Sequence, residues 1–461
     1  MIWQKKAKGL NIIIVGCGTV GRTLVEQLSG EGHSITIIDK NSETVQEICN
    51  LYDVLGVAGN GASFGVQKEA GITDSDLIIA VTESDELNLL CCTVARRIAK
   101  CAAIARVCNP EYNLEIEYLR EKLGLAMIIN PVLIASREIA KILDLPRALS
   151  VNSFAHGQAE LVKFKIPEGS MLDNMSISDL GAMTENIIIC AIERKGEIFI
   201  PSGNFTMLAG DIISFVSPRK EVQGFFKKTG FKTQHVKNTM IVGGGISAYY
   251  LAKQLINSGV DVKIIEKNKA RCEELNDLLP KAIIINGDGS DEGLLMEEGI
   301  DTVESFVPLT DSDEENILLT LYANQVTKSS TKVITKINRL SFGDVINNLD
   351  LGSVIYPRYI TAVTILAYVR ARSARRSNSI ETLYHMFNQR VEAIEFRVEE
   401  SSEVTDVPIM NLKLKKNLLI SFINRQGKII IPSGKDCIKP GDSVMIVTTH
   451  KGFVDISEIL E

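Results

Sequence analysis

NIIIVGCGTVG, residues 11–21, is the stretch on which the fold turns. An apolar, β-branched run ends in Gly16-Cys17-Gly18-Thr19-Val20-Gly21 and passes into a helical pattern. A second apolar strand pattern, SITIID, follows and closes on Asp39, 18 residues beyond Gly21. Strand, glycine turn, helix, strand and acid in that order predict the first βαβ unit of a Rossmann-type dinucleotide fold. Each glycine has its own reason. Gly16 permits the tight turn, Gly18 lets a pyrophosphate approach the backbone, and Gly21 lets the helix pack close to the sheet. The helix start offers free N–H groups and the positive end of a dipole to phosphate. Asp39 is expected to accept hydrogen bonds from an adenosine ribose and to repel a 2′-phosphate, which favours NAD(H) or ATP/ADP over NADP. Lys40 beside it softens that exclusion.

The chain then repeats itself. NTMIVGGGISA, residues 238–248, restates the opening stretch with Gly243 lying 227 residues after Gly16. IIDKN (37–41) returns as IIEKN (264–268), GNG (59–61) as GDG (287–289), EAGI (69–72) as EEGI (297–300), and TESDELN (82–88) as TDSDEEN (310–316). IPSG (200–203) returns at 431–434, and Gly210-Asp211 at Gly441-Asp442. Preserved order with slight drift is the mark of a duplication with small loop insertions.

Each half has two parts. Residues 8–145 and 237–375 alternate buried-strand runs (NIIIVG, SITIID, LIIAVT, AIARV) with helical periodicity. They predict doubly wound parallel sheets. Residues 146–230 and 378–461 are richer in strands (VKFKI, NIIICAIE, EIFIP, DIISFV; then NLLISFIN, KIIIP, SVMIVT), with Lys195-Gly196 and Gln426-Gly427 at hairpin turns. They read as small α+β domains. The expected fold is therefore α/β: two Rossmann-like domains alternating with two small α+β domains. Pro131 and Pro357 mark first turns of two strongly apolar helices, which fit either a core helix or one that crosses to a partner subunit.

Bulk properties narrow the function. The 461 residues need more than one core, and 45% hydrophobic with 23% charged residues fits an ordinary globular chain. A net charge of −7 gives no electrostatic reason to bind nucleic acid. No apolar run reaches the roughly 18–20 residues needed to span a bilayer, so the expectation is a cytoplasmic chain without direct membrane insertion. The nine cysteines lack CxxC spacing, and the five histidines are scattered. That pattern fits reduced thiols and no metal site. The basic run RARSARR, residues 370–376, fits a solvated helix end or, less readily, a contact with anionic headgroups.

Candidate ligand residues follow from position. Gly16–Gly21 and Asp39 form the first cradle, with Gly243, Gly244, Gly245, Ile246 and Ser247 and the acid Glu266 forming the second. Alanine is allowed at the third fingerprint position, so Ala248 is compatible. Tyr249 and Tyr250 bring bulk to that helix start, and the second site reads as filled or empty alike. Thr82 and Glu83 lie at the carboxyl end of a central strand, where α/β ligands sit. Ser/Thr followed by acids there also predicts a helix N-cap. Arg106 ends the next strand and faces the same edge; Lys336 is its counterpart. No histidine lies in the motif-bearing loops, and there is no GxSxG, HExxH or Walker A lysine. No catalytic residue is therefore assigned.

Taken together, IIIVGCGTVG with Asp39, VAGNGAS (57–63), EAGITDSDLIIAVTESDELN (69–88), their repeats, and the PEGS, ERKGEIFIPSG and GD segments resemble the TrkA family, built from RCK domains. The resemblance covers nearly the full length. It implies a regulatory subunit beneath a TrkH-like potassium channel, four chains forming a ring of eight RCK domains, and NAD(H) or ATP/ADP as the controlling ligand. It carries nucleotide roles to Gly16–Val20, Asp39, Thr82, Glu83 and Arg106, and to Gly243–Ser247, Glu266, Thr310, Asp311 and Lys336. An NAD-dependent oxidoreductase with two Rossmann domains is the rival reading, but it gives no reason for the repeated IPSG domain. The same sensor serving an antiporter or another channel is a third.

Overall fold

The computed structural model describes residues 9–145, 147–184, 186–231, 235–328, 331–338, 349–373 and 379–461. The opening stretch forms β1 (Asn11–Val15), a strand buried along nearly its whole length. It is followed by β2 (Ser34–Asp39), β3 (Leu55–Ala58), β4 (Leu77–Ala80), β5 (Ala102–Arg106) and β6 (Met127–Ile129). These pair in the order β3-β2-β1-β4-β5-β6, parallel throughout, with Ile14 opposite both Ile37 and Ile79. The order reverses between β1 and β4, so the glycine turn after β1 and the loop after β4 flank the switch-point crevice.

The next five strands are β7 (Ser150–Phe154), β8 (Ala159–Lys165), β9 (Ile188–Arg194), β10 (Glu197–Phe199) and β11 (Ile212–Pro218). They form an antiparallel sheet in the order β10-β9-β11-β8-β7. Lys195 (φ 50°) and Gly196 (φ 83°) make the left-handed turn between β9 and β10, the geometry that matches strand twist in a two-residue hairpin.

The second half repeats both sheets. β12 (Asn238–Val242), β13 (Asp261–Glu266), β14 (Ile283–Asn286), β15 (Ser305–Pro308), β16 (Lys332–Lys336) and β17 (Ser353–Ile355) take the order β14-β13-β12-β15-β16-β17. β18 (Ser379–Met386), β19 (Val391–Arg397), β20 (Leu418–Arg425), β21 (Lys428–Ile430) and β22 (Ser443–Thr448) take the order β18-β19-β22-β20-β21. Gln426 and Gly427 reproduce the hairpin turn. Helices begin at Pro131 and Pro357, as the proline positions predict. No helix among the described residues is long and apolar enough to cross a membrane.

Contacts gather like with like. One compact unit joins residues 9–140 with Lys237–Ala362 and holds both parallel sheets; the other joins Lys141–Val236 with Val363–Glu461 and holds both antiparallel sheets. Within the latter, one apolar cluster mixes Phe154, Leu161 and Val216 with Phe422, Met445 and Val447. Glu395 accepts from the Ala155 N–H at 3.1 Å, and Arg390 reaches the Gly196 carbonyl at 2.6 Å.

In the same unit Arg370 departs from the solvated-helix-end reading of the basic run, while Arg372 is exposed as that reading expects. Arg370 is 2% exposed and Glu392, on β19, is 1% exposed. They form a two-pronged pair at 3.0 Å on each prong. His385 stands 3.3 Å from the same carboxylate. Arg375 and Arg376 lie outside the described residues. Burial alone would push the Glu392 carboxyl up, but hydrogen bonds from His385 and Arg370 outweigh it and hold it down at about 2. A group depressed from 4.5 to about 2 contributes its full stability above about pH 4.5 and loses it as pH falls toward 2. The stability difference between the wild-type chain and Glu392→Gln should therefore be widest above about pH 5 and narrow steadily on acidification. Urea titrations across that range measure it; a difference constant with pH would contradict the assignment.

Candidate functional site

The glycine turn after β1 is held by backbone geometry. Gly16 has φ +96°, and its N–H donates to the Ile38 carbonyl at 2.9 Å. A Cβ at Gly16 would stand 2.8 Å from the Thr82 nitrogen, and one at Gly21 would overlap the Gly16 carbonyl. Gly18, by contrast, faces open space and caps the helix Thr19–Ser29, whose start carries no side-chain cap. The first-turn N–H groups of Thr19 and Val20 thus have no side-chain cap, and open space lies beside Gly18.

Asp39 ties this cradle to the second strand. Its Oδ2 accepts from the Cys17 N–H at 2.7 Å and its Oδ1 from the Asn41 N–H at 2.9 Å. Each carboxylate oxygen has a further lone pair, so the acid can hold the loop and still receive a ribose hydroxyl. Burial, then the Asp39 carboxylate, pushes the Cys17 thiol up to about 12, so it stays protonated and acts as packing.

The second copy reproduces the arrangement donor for donor around an acid one methylene longer. Gly243 has φ +97°. Glu266 accepts from the Gly244 N–H and the Asn268 N–H, both at 2.6 Å. Gly245 faces open space at an uncapped helix start, and Ile246 is exposed while Ala248 is fully buried. One difference is new: Arg271 donates its Nε to the Gly244 carbonyl at 2.7 Å and pairs with Glu274 at 2.6 Å.

The loops after β4 and β15 are built around an asparagine. Asn88 is fully buried; its Oδ1 accepts from the Thr82 N–H at 2.8 Å and the Thr82 hydroxyl at 2.7 Å. Its Nδ2 donates to the carbonyls of Thr82 and Arg106. Asn316 does the same for Thr310 and Lys336. Ser84 and Ser312 cap the helices that follow, as predicted.

The family models decide the kinship. The TrkA-N domain matches residues 12–131 and 239–357, and the TrkA-C domain matches 161–230 and 393–460. The chain belongs to the TrkA family. It is 32% identical to a Trk system potassium uptake protein TrkA homolog 1 of Methanosarcina mazei, over 97% of this chain and 99% of that one. It is 31% identical to the Trk system potassium uptake protein TrkA of Haemophilus influenzae, over 96% of each. Among solved structures, the GsuK channel bound to NAD superposes with a TM-score of 0.64 at 16% identity, covering 96% of this chain and 77% of that one. At that identity the likeness is one of fold.

In this TrkA-family chain the expected residues fall into two groups. Gly16–Gly21 with Asp39, and Gly243–Ser247 with Glu266, each form a close-packed turn in which one glycine, Gly18 or Gly245, faces open space. Thr82 and Arg106 are turned partly inward: the Thr82 N–H is taken by Asn88, and its carbonyl accepts from Arg106 at 2.9 Å. Glu83 and Asp311 are exposed. Lys336 is buried against the Leu309 carbonyl at 3.4 Å, and burial lowers its ammonium pKa despite Asp311 and Asp313 nearby.

A cavity of about 500 Å³ lies in the parallel-sheet unit, lined by Glu83, Arg106 and Cys108 of the first copy and Ile246, Tyr249 and Arg271 of the second. Sequence reasoning missed Asn88, Asn316, Asp85 and Arg271. Asp85 accepts from the N–H groups of Cys108 and Asn109 at 2.8 and 2.7 Å, fixing the loop after β5. The repeat itself carried the signal for the first three, since both TESDELN and TDSDEEN keep that asparagine and aspartate.

Proposed function

We propose that this chain is a nucleotide-responsive regulatory subunit of a potassium uptake system, acting from the cytoplasmic face on a TrkH-like membrane channel and doing no chemistry of its own. The observation that carries the reading is the duplicated cradle: an uncapped helix start beside an open glycine and a carboxylate tethered by two backbone N–H groups, present in both halves. NAD(H) or ATP/ADP is the proposed ligand, held by Gly16–Gly21, Asp39, Thr82, Glu83 and Arg106, and by Gly243–Ser247, Glu266, Thr310, Asp311 and Lys336. The named relatives are potassium uptake proteins, and the fold neighbour is a channel bound to NAD. The proposed domains are 8–145, 146–230, 237–375 and 378–461, in alternation.

Energetics favours an assembly. Carrying a gate from mostly closed to mostly open takes roughly 5 kcal/mol of differential binding. A tenfold preference at one site supplies about 1.4 kcal/mol, so four chains with one working site each reach the required scale. The expected result is a homotetramer that co-purifies with a TrkH-like channel and changes its potassium flux when nucleotide is added. Light scattering that gives a monomer at micromolar concentration would count against the ring. Nucleotide-independent flux in vesicles with the subunit demonstrably bound would count against gating. The pure protein should oxidise no NADH above a Gly18→Asp control; reproducible turnover would favour an oxidoreductase instead.

A further inference from the structure

The two copies inside the parallel-sheet unit are joined by one buried phenol. Tyr250 sits in the first turns of the helix Ile246–Asn257, the helix whose start forms the second cradle, and is 5% exposed. Its hydroxyl donates to the Cys108 carbonyl at 3.1 Å and accepts from Asn130 Nδ2 at 3.1 Å. Both partners belong to the first copy. The Cys108 N–H is held by Asp85, which opens the helix beginning just after Thr82 and Glu83. Asn130 in turn accepts from the Leu133 N–H at 2.9 Å at the start of the helix Pro131–Asp144. Beside this, the Ser136 hydroxyl of that helix donates to the Val132 carbonyl of its own helix at 2.8 Å and also lies 3.3 Å from the carbonyl of Ser247, a residue of the second glycine turn.

The link is one-sided. The repeat sets Thr23 where the second copy has Tyr250, and the Thr23 hydroxyl donates to the Thr19 carbonyl of its own helix at 2.9 Å. A tyrosine that replaces a small residue in a glycine-motif helix thus reaches out of its own domain, away from its own cradle. Its bond partners are the loop that lines the cavity and the helix that follows the first sheet.

We propose that Tyr250 is a positioning residue that couples the two nucleotide sites of one chain. A ligand that draws the helix Ile246–Asn257 toward its phosphate moves the Tyr250 hydroxyl. That hydroxyl moves the Cys108–Asn109 segment, and with it Asp85 and Arg106 at the first site. Two sites joined through hydrogen-bonded groups change each other's affinity reciprocally. The proposal rests on nucleotide binding at both cradles.

The test measures ADP and NAD binding by calorimetry on the full chain. Gly18→Asp isolates the second site and Gly245→Asp isolates the first. First-site affinity should differ at least about fivefold between a chain with the second site saturated and the Gly245→Asp chain, within the usual range of coupling. Tyr250→Phe should bring that ratio below about twofold while leaving the affinity of each isolated site within twofold of wild type. Ser136→Ala, which removes the neighbouring bond without touching the phenol, should weaken the ratio in the same direction and guards against a Tyr250→Phe chain that folds poorly. Independent sites in the wild-type chain, or an unchanged ratio in both variants, overturn the coupling. Failure of either nucleotide to bind the isolated sites overturns the nucleotide reading itself, and the coupling with it.

Discussion

Arg370→Met will destabilise the antiparallel-sheet unit by about 3–5 kcal/mol, the scale for removing one partner of a buried ion pair. Both side chains are essentially excluded from water, so deleting the guanidinium leaves the Glu392 carboxylate with only His385 and the Gly452 N–H, each at 3.3 Å, beside it among the described residues. The charge must then either be neutralised by taking up a proton or remain buried at heavy cost. Changing both residues, Arg370→Met with Glu392→Leu, should recover most of the loss, because a buried pair is often no better than apolar residues of like volume. Urea unfolding of the two variants against wild type separates these cases. A single variant within about 1 kcal/mol of wild type would show that the pair is solvated after all.

Asp39→Ala will weaken nucleotide binding at the first site by about ten- to a hundredfold. Hydrogen bonds to a charged group are worth about 1.5–3 kcal/mol, and each 1.4 kcal/mol is a factor of ten. The expected loss has two sources: the ribose contact, and the tether to the Cys17 and Asn41 N–H groups that shapes the cradle. Asp39→Asn should fall nearly as far, because the amide presents an NH₂ group to one of two donors that both need an acceptor. Glu266→Ala should do the same at the second site if that cradle is filled. Unchanged affinity in Asp39→Ala would remove the acid from the ligand's surroundings.

Much of this was legible because it is local. A strand that ends in a glycine turn, an acid at the next strand end, serines before acids at helix starts, and Lys-Gly or Gln-Gly in a hairpin are all written within a few residues of one another. The two parallel sheets and both tight turns follow from them. Contacts between segments distant in the chain left no such mark. The bond from Tyr250 to Cys108 spans 142 positions, and nothing near Tyr250 announces it. Arg370 looked like part of a solvated run because its neighbours are basic; its partner lies 22 residues on, in a strand whose periodicity says only that Glu392 is half of an alternating pair. Arg106 was legible as a residue at the crevice edge, but not the carbonyl that turns it inward. β7 and β18 carry serine, asparagine and histidine among their apolar residues, so they lack the continuous runs that announce the central strands.

The gathering of like with like sets a schedule for biosynthesis. Residues 9–140 leave the ribosome long before Lys237–Ala362, the segment with which they share a compact unit. At about 5–20 residues per second the delay is on the order of tens of seconds. During that interval the Cys108 carbonyl and Asn130 of the first sheet have no Tyr250 to meet, and the matching face of any neighbouring nascent chain is in the same state. A polysome therefore holds many copies of one half-built face side by side, each able to take its missing half from the wrong chain. The interval of exposure is thus a hazard that the duplicated architecture builds into synthesis, and it lengthens as translation slows.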